Sequence, residues 1–100
     1  MVAPHYRLTR RAETDFYAIY MFTAREFGER QADRYADKLQ RVMTNLLRHP
    51  EMGSVYRTAN GQDFHRLRCE SHWVFYQKAE DGVLVVRILH VAMNLEDHLT

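Results

Sequence analysis

The sequence lacks several features that would divide, anchor or cross-link a chain. Cysteine occurs once, as Cys69, which excludes an internal disulfide. No Gly/Ser linker, repeat or low-complexity tract separates one part of the chain from another. No run reaches the ~18 apolar residues that a membrane-spanning helix requires. With 100 residues, the chain is therefore predicted to form a single domain over residues 1–100.

An excess of charge of one sign is also missing. Fourteen Lys and Arg residues stand against thirteen Asp and Glu residues, which gives a net charge of +1. Whole-molecule charge therefore does not predict a general nucleic-acid or membrane binder, and electrostatic recognition must come from local patches. The opening residues "MVAPHYRL" hold no apolar segment of signal-peptide length. Together with the single cysteine, this predicts a reducing, cytoplasmic location.

The first half of the chain has the periodicity of two helices. Thr9 is a suitable N-cap for a helix that runs to about Phe27 and ends at Gly28. A second helix is expected from about Glu29 to Arg48, and the tight turn between them predicts an antiparallel hairpin. The apolar positions expected to face a core are Ala12, Phe16, Ile19, Tyr20, Thr23 and Phe27 in the first helix, and Ala32, Tyr35, Ala36, Leu39, Val42, Met43, Leu46 and Leu47 in the second.

Two groups of helical side chains lie away from these core positions. In the first helix, Tyr17, Met21 and Ala24 leave an apolar side that a sheet alone does not cover. In the second helix, the opposite face carries the basic residues Arg30, Arg34, Lys38 and Arg41. The simplest interpretation of this basic face is a solvated surface partly paired with Asp33 and Asp37. Its alternative is a binding surface for an acidic segment.

The second half of the chain predicts strands. Residues 49–53, "HPEMG", end the second helix because Pro50 disfavours helical geometry before it. Short strand-like runs follow at residues 55–57, 64–69, 73–78 and 83–91, and Asp81-Gly82 is a hairpin signal. The predicted fold is α+β. An N-terminal strand and the antiparallel helical hairpin pack on one face of a mostly antiparallel sheet of four to five strands.

The final strand is apolar on both of its faces. By simple alternation, Val83, Val85, Leu89 and Val91 point to one side, whereas Leu84, Val86 and Ile88 point to the other. A single helical layer covers only one of these faces. We therefore expect a second protein to cover the other.

The polar residues of the strands raise two catalytic alternatives. A zinc site from His65, Cys69 and His72 is disfavoured, because the first two stand ~13 Å apart along a strand. Neither a nucleophile elbow nor a glycine-rich phosphate loop occurs, so no cofactor is expected. A metal-free ribonuclease remains an alternative. Its candidate residues are His65, Arg66, Arg68, His72, Tyr76, Arg87 and His90. In a regular strand, however, Arg87 and His90 point to opposite faces.

Four segments in order resemble the ParE toxins of bacterial toxin–antitoxin systems, within the RelE/ParE superfamily. These segments are "LTRRAETDFYAIYMFTAREFG", "HPEMG", "SHWVFYQ" and "VRILHVAMNLEDHL". The resemblance implies a toxin that poisons DNA gyrase and is neutralised by a ParD-like antitoxin, whose disordered tail folds along the helices and sheet. The residues predicted to bind that antitoxin are Tyr17, Met21, Ala24, Arg30, Arg34, Lys38, Arg41 and Arg87.

The same resemblance separates this chain from relatives that cleave messenger RNA on the ribosome. Several of those enzymes carry a phosphate-contacting Arg at the place of Trp73, and some use a C-terminal Tyr that is missing here. RelE-like RNA cleavage is therefore the second interpretation, and a non-toxic binding module is the third. The segment from Met93 to Leu99 is expected to be exposed and to contact the target. Its predicted target-binding residues are Met93, Asn94, His98 and Leu99.

Overall fold

The computed structural model describes residues 3–99 and confirms the predicted α+β architecture. In chain order the elements are β1 (His5–Leu8), α1 (Arg10–Phe27), α2 (Glu29–Arg48), β2 (Ser54–Arg57), β3 (Asp63–Cys69), β4 (His72–Ala79), β5 (Gly82–His90) and α3 (Leu95–Leu99). Both long helices have the predicted bounds. The short helix α3 was not predicted.

The five strands form one mixed sheet in the order β1-β5-β4-β3-β2. Consecutive hairpins make β2 to β5 antiparallel, whereas β1 lies parallel to the first half of β5. The main core lies between one face of this sheet and the helical hairpin, and it includes Leu39, Met43, Leu46, Val74 and Tyr76. This packing leaves β1 and β2 as the two edge strands.

The start of α1 is fixed to the sheet by its N-cap. The Thr9 hydroxyl accepts a hydrogen bond from the Ala12 amide at 3.1 Å and donates one to the Val86 carbonyl at 2.8 Å. The first contact satisfies an amide that the helix leaves unpaired. The second determines where α1 leaves β5. At the other end Gly28 has a φ of 94°, which glycine adopts at little cost.

A β-bulge in β5 changes which residues face the helices. Phe75 pairs with Arg87, but the next residue of β4, Tyr76, pairs with Val85, so Val86 has no partner opposite it in the register. Ile88 consequently joins Val83 and Val85 in the main core, whereas Leu89 belongs to a second cluster on the reverse face. The simple alternation predicted for this strand is therefore wrong beyond Val86.

The chain covers much of the second sheet face itself. Phe64, Phe75, Leu89 and Leu99 form a buried cluster there, with Leu95 packed against it. Leu99 is only 7% exposed. The expectation that a second protein covers this face is corrected, because α3 folds back over its centre.

Two further expectations for the helices need adjustment. Phe27, assigned to the core-facing stripe of α1, is 67% exposed because it is the last residue of the helix, where the chain turns into α2. The basic face of α2 does not form the expected ion pairs with Asp33 and Asp37. Instead, Asp33 accepts a hydrogen bond from the Tyr20 hydroxyl at 2.6 Å. Among residues 3–99, no helix has the length and apolar character needed to span a membrane.

Candidate functional site

An open groove of about 470 Å³ runs between α1 and the end of β5. Its lining residues are Asp15, Ala18, Ile19, Phe22, Thr23, Phe27, Gln31, Tyr35, Glu70, Ser71, His72, Ile88, His90 and Met93. Phe22 is 54% exposed and Met93 is 45% exposed, so large apolar side chains stand open to solvent along it. The groove lies where β1 has ended and α1 has moved away from β5. It is a mostly apolar surface that the helical side of this fold leaves open.

Three polar side chains meet at the floor of this groove. The hydroxyl oxygen of Tyr35 lies 2.6 Å from Nδ1 of His72 and 3.0 Å from the Cys69 carbonyl oxygen. The His72 ring packs edge-on against His90 with 5.2 Å between the ring centroids. His72 begins β4 and His90 ends β5, and the antiparallel register places them opposite each other.

Burial keeps Tyr35 and His72 uncharged near neutral pH. Desolvation, aided by the neighbouring His90, lowers the pKa of His72 to about 4. Desolvation raises the pKa of Tyr35 to about 12. The Tyr35–His72 contact is therefore a hydrogen bond between neutral groups at pH 7. The Tyr35–His72 pair thus offers polar specificity without a net charge.

Asp15 lines one wall of the groove and is paired with Arg87 of β5. The Asp15 carboxylate accepts hydrogen bonds from Arg87 Nε at 2.8 Å, Arg87 Nη2 at 3.0 Å and the Ile88 amide at 3.0 Å. Arg87 Nη1 also donates to the His98 carbonyl oxygen at 2.8 Å. The Arg87 side chain is 12% exposed and the Asp15 side chain is 14% exposed. Arg87 thus joins β5, α1 and α3, and its donors already have internal acceptors.

A second, basic groove of about 290 Å³ adjoins the first. It is lined by Gln31, Arg34, Tyr35, Lys38, Arg41 and Glu70. Gln31, Tyr35 and Glu70 line both grooves, so the apolar and basic surfaces are continuous. Lys38 forms an exposed ion pair with Glu70 at 3.4 Å, rather than with the expected Asp33 or Asp37. Arg30 is exposed but does not line either groove.

The remaining predicted antitoxin-binding residues lie beside the grooves. Tyr17 and Met21 are 66% and 46% exposed on the outer side of α1, and Ala24 is partly buried. These three do not line the apolar groove, but Phe22 continues the same exposed apolar surface into it. Phe22 and the polar floor were not predicted from the sequence. The signal for the floor lay in the hairpin register, which sets residues 72 and 90 opposite each other.

The C-terminal segment is less exposed than predicted. Met93 and Asn94 are exposed, and Met93 lines the apolar groove. His98 is partly buried, and Leu99 is buried in the second cluster. The expectation of a freely exposed segment from Met93 to Leu99 is therefore wrong, because α3 buries its apolar side against the sheet. Only Met93 and Asn94 keep the exposure that target binding needs.

The residues of the nuclease alternative are dispersed. The Tyr76 hydroxyl donates to the Pro50 carbonyl and accepts from the Gly53 amide, so it serves the core. Arg66 stacks against Trp73, which belongs with the second cluster on the reverse face of the sheet. His65 lies against Tyr76, with 5.4 Å between the ring centroids, and His72 lies against His90. No Lys or Arg lines the groove of the histidine pair. Among residues 3–99, no group of three His, Cys, Asp or Glu residues is arranged to hold a metal ion.

Known proteins share both the fold and the sequence features of this chain. A solved structure described as the chromosomal ParDE TA system from P. aeruginosa shares the fold. Its TM-score is 0.72 at 19% identity, and the match covers 91% of this chain and 97% of that one. A family model for the ParE toxin of the type II toxin–antitoxin system parDE matches residues 6–95.

Two similar sequences support the same assignment. Toxin ParE1 of Caulobacter vibrioides is 35% identical over 94 residues, which covers 94% of this chain and 96% of that protein. Toxin ParE of Escherichia coli is 34% identical over 99 residues, which covers 94% and 91%. The chain therefore belongs to the ParE family of toxins of type II toxin–antitoxin systems.

Proposed function

We propose that this ParE-family protein poisons DNA gyrase and is neutralised by a ParD-like antitoxin. Family membership supports both parts, and the structural neighbour described as a ParDE system supports the antitoxin partner. The observation that carries the antitoxin part is the continuity of the apolar groove with the basic groove through Gln31, Tyr35 and Glu70. A mostly apolar groove beside a row of cations fits an amphipathic acidic segment better than a small substrate.

The antitoxin tail would bind by combining apolar burial with charge pairing. Ala18, Phe22 and Met93 offer the apolar contacts. Arg34 and Arg41 offer guanidinium groups to acidic side chains of the tail. A tail that is disordered when free loses conformational entropy on binding, so a large apolar contact area is needed to offset it. The exposed residues Tyr17 and Met21 would extend that contact area along α1.

Antitoxin affinity tests this assignment directly. We expect Phe22→Ser to weaken binding of the purified antitoxin about tenfold or more, because it removes a large apolar contact of a size that costs roughly 1.5–3 kcal/mol. The double reversal Arg34→Glu/Arg41→Glu should weaken it further at low salt. Arg48→Glu is the matched control, since Arg48 is an exposed cation of α2 outside both grooves. Calorimetric affinities of both groove variants equal to wild type would contradict the proposal.

The gyrase target is tested with the toxin freed of its antitoxin. We expect the purified protein to inhibit gyrase supercoiling and to trap cleaved DNA, while leaving translated messages intact. The opposite pattern, cut messages and unaffected gyrase, would support RelE-like RNA cleavage instead. A protein that is harmless in both assays but still binds the antitoxin would be a binding module.

The paired histidines are the one observation that favours RNA cleavage. His72 and His90 lie close enough for a general acid and a general base to act on one bond. Their groove supplies no Lys or Arg for the charge that develops on a phosphate in the transition state, however. We therefore expect the double variant His72→Ala/His90→Ala to retain growth inhibition. Loss of toxicity in a folded variant that still binds the antitoxin would restore the ribonuclease interpretation.

The cellular setting follows from these partners. We propose that the protein acts in the cytoplasm as one domain of residues 1–100 and needs no cofactor. The protein would then encounter DNA within the gyrase complex or within its complex with the antitoxin. Among the predicted target-binding residues, Met93 and Asn94 are the exposed pair to test. Met93→Glu and Asn94→Arg should reduce gyrase inhibition if this end of the groove meets the target.

A further inference from the structure

The reverse face of the sheet carries an arginine held between two aromatic rings. The Cζ atom of Arg66 lies 4.8 Å from the ring centroid of Tyr56 and 4.1 Å from that of Trp73. The Cζ atom of Arg68 lies 6.0 Å from the same Trp73 ring. We name these four residues, Tyr56, Arg66, Arg68 and Trp73, the aromatic–arginine ladder. Both grooves described above lie on the helical side, so the ladder is a separate surface.

Arg66 is positioned by the rings more than by hydrogen bonds. Its Nε atom is buried and has no hydrogen-bond acceptor. Leaving a buried N–H unpaired costs free energy, and the contacts with two π faces offset part of that cost. The rings therefore fix the plane of the guanidinium group. A guanidinium that is fixed before binding loses little entropy when it meets an anion.

The second cation of the ladder is more exposed. Arg68 lies two residues further along β3, so the two arginines share a face ~6.6 Å apart at strand spacing. Its Nε donates to the Glu70 carbonyl at 2.8 Å, which leaves the other guanidinium donors at the surface. Trp73 pairs with Arg68 across the β3–β4 hairpin and is partly exposed. One sheet face thus presents two cations beside an indole ring.

We propose that the aromatic–arginine ladder binds single-stranded DNA. Two guanidinium groups at regular spacing suit successive backbone phosphates, and an adjacent indole offers a stacking surface for a base. Such recognition depends little on sequence, because every base has a π face. A net charge of +1 keeps general affinity for duplex DNA low, so the contact depends on this local arrangement.

The proposed gyrase target would supply the single-stranded DNA, so this part of the inference rests on the proposed function. A gyrase complex that holds cleaved DNA exposes nucleotides outside a continuous duplex. A toxin that engages gyrase and one such strand together would hold the broken state longer than a toxin that engages the protein alone. In this proposal the aromatic–arginine ladder is the surface that contacts the DNA strand.

Trp73 is the only tryptophan of the chain, so its fluorescence reports on the ladder directly. Titration of the purified toxin with an oligothymidylate at low salt should quench this fluorescence, and added salt should reverse the quenching. Arg68→Gln should weaken binding several-fold and reduce the slope of log affinity against log salt by about 0.7, the value for one phosphate of a single strand. Arg66→Gln should weaken it in the same direction.

Two controls keep the result specific. Arg48→Gln removes the same charge from α2, outside the ladder and outside both grooves, and should leave the titration unchanged. Antitoxin binding by each variant, measured separately, establishes that it is folded. No quenching of wild type, an equal loss in Arg48→Gln, or stronger quenching by oligouridylate or by a polyglutamate peptide would each overturn the assignment to DNA.

The gyrase assays distinguish this inference from the proposed target. If wild type inhibits gyrase but the oligonucleotide leaves Trp73 unquenched, the ladder proposal fails and the gyrase proposal stands. If quenching occurs as expected but gyrase is unaffected, the DNA-binding surface stands and the gyrase proposal fails. If both are observed, Arg68→Gln should also trap less cleaved DNA per molecule of bound toxin.

Discussion

At the scale of single residues, the Asp15–Arg87 pair connects three elements, α1, β5 and α3. Its carboxylate receives two guanidinium N–H groups and the Ile88 amide, and Arg87 also reaches the His98 carbonyl. A pair that is little exposed but fully hydrogen-bonded contributes modestly to stability, whereas one partner left alone is costly. The pair is therefore a better guide to where the fold is vulnerable than to where it binds a ligand.

We expect Arg87→Met to lower the free energy of unfolding by about 3 kcal/mol, because it leaves a partly buried carboxylate unpaired. The double variant Asp15→Asn/Arg87→Met should recover part of that loss. Urea denaturation of the two single variants and the double variant measures the coupling. Strict additivity of the two changes would mean that the pair is not coupled in solution.

His72 makes stability depend on pH in a defined window. Its pKa is about 4 in the folded protein and 6.5 in the unfolded chain, so only the unfolded chain binds the proton between these values. Stability is therefore expected to fall as pH drops from 6.5 to 4, and His72 adds no further loss below that. The His72→Gln variant should show a shallower decline in melting temperature over this window. An NMR titration that places the His72 ring near pH 6.5 would contradict the expectation.

At the scale of secondary-structure elements, the short helix α3 acts as the cover of the second apolar cluster. Leu99→Ala should lower the free energy of unfolding by about 2 kcal/mol, the lower end of the range for a buried leucine. Asp97→Ala, on the exposed side of α3, should change it by about 0.5 kcal/mol or less. Equal effects of the two substitutions in thermal denaturation would mean that α3 is not packed in solution.

This packing also changes what a C-terminal truncation can test. If this segment were an exposed tail, removal of residues 93–100 would abolish toxicity and spare antitoxin binding. The truncation would also remove Leu95 and Leu99 from the second cluster, so it would lower stability together with target binding. Thr100 lies outside the described residues. Substitution of the exposed Met93 and Asn94 separates the two effects.

The elements that the sequence predicted well are those set by local signals. Thr9 and Gly28 determined the limits of α1 because capping depends on side chains within a few residues. Asp81-Gly82 located the last hairpin for the same reason. The position of Val86 in a bulge and the return of α3 onto the sheet depend on pairing and packing between distant residues. Periodicity carries no information about either, so the groove floor and the buried Leu99 were missed.

At the scale of the whole molecule, the two proposed binding surfaces lie on opposite sides of one sheet. The antitoxin grooves face the helices, and the aromatic–arginine ladder faces away from them. We expect saturating antitoxin to leave the quenching of Trp73 by oligothymidylate nearly unchanged. Competition between the two ligands in a fluorescence titration would mean that the antitoxin tail also reaches the reverse face.

The division between these two sides depends on the unpaired Val86. Every side chain from Arg87 to His90 owes its side of the sheet to that one additional residue. If the bulge closed by a one-residue slip, so that Val86 paired with Phe75, His90 and Ile88 would turn away from the helices, and Arg87 and Leu89 would turn toward them. A shift in pairing by one residue would thus exchange the two faces of this half of β5 without any change of sequence.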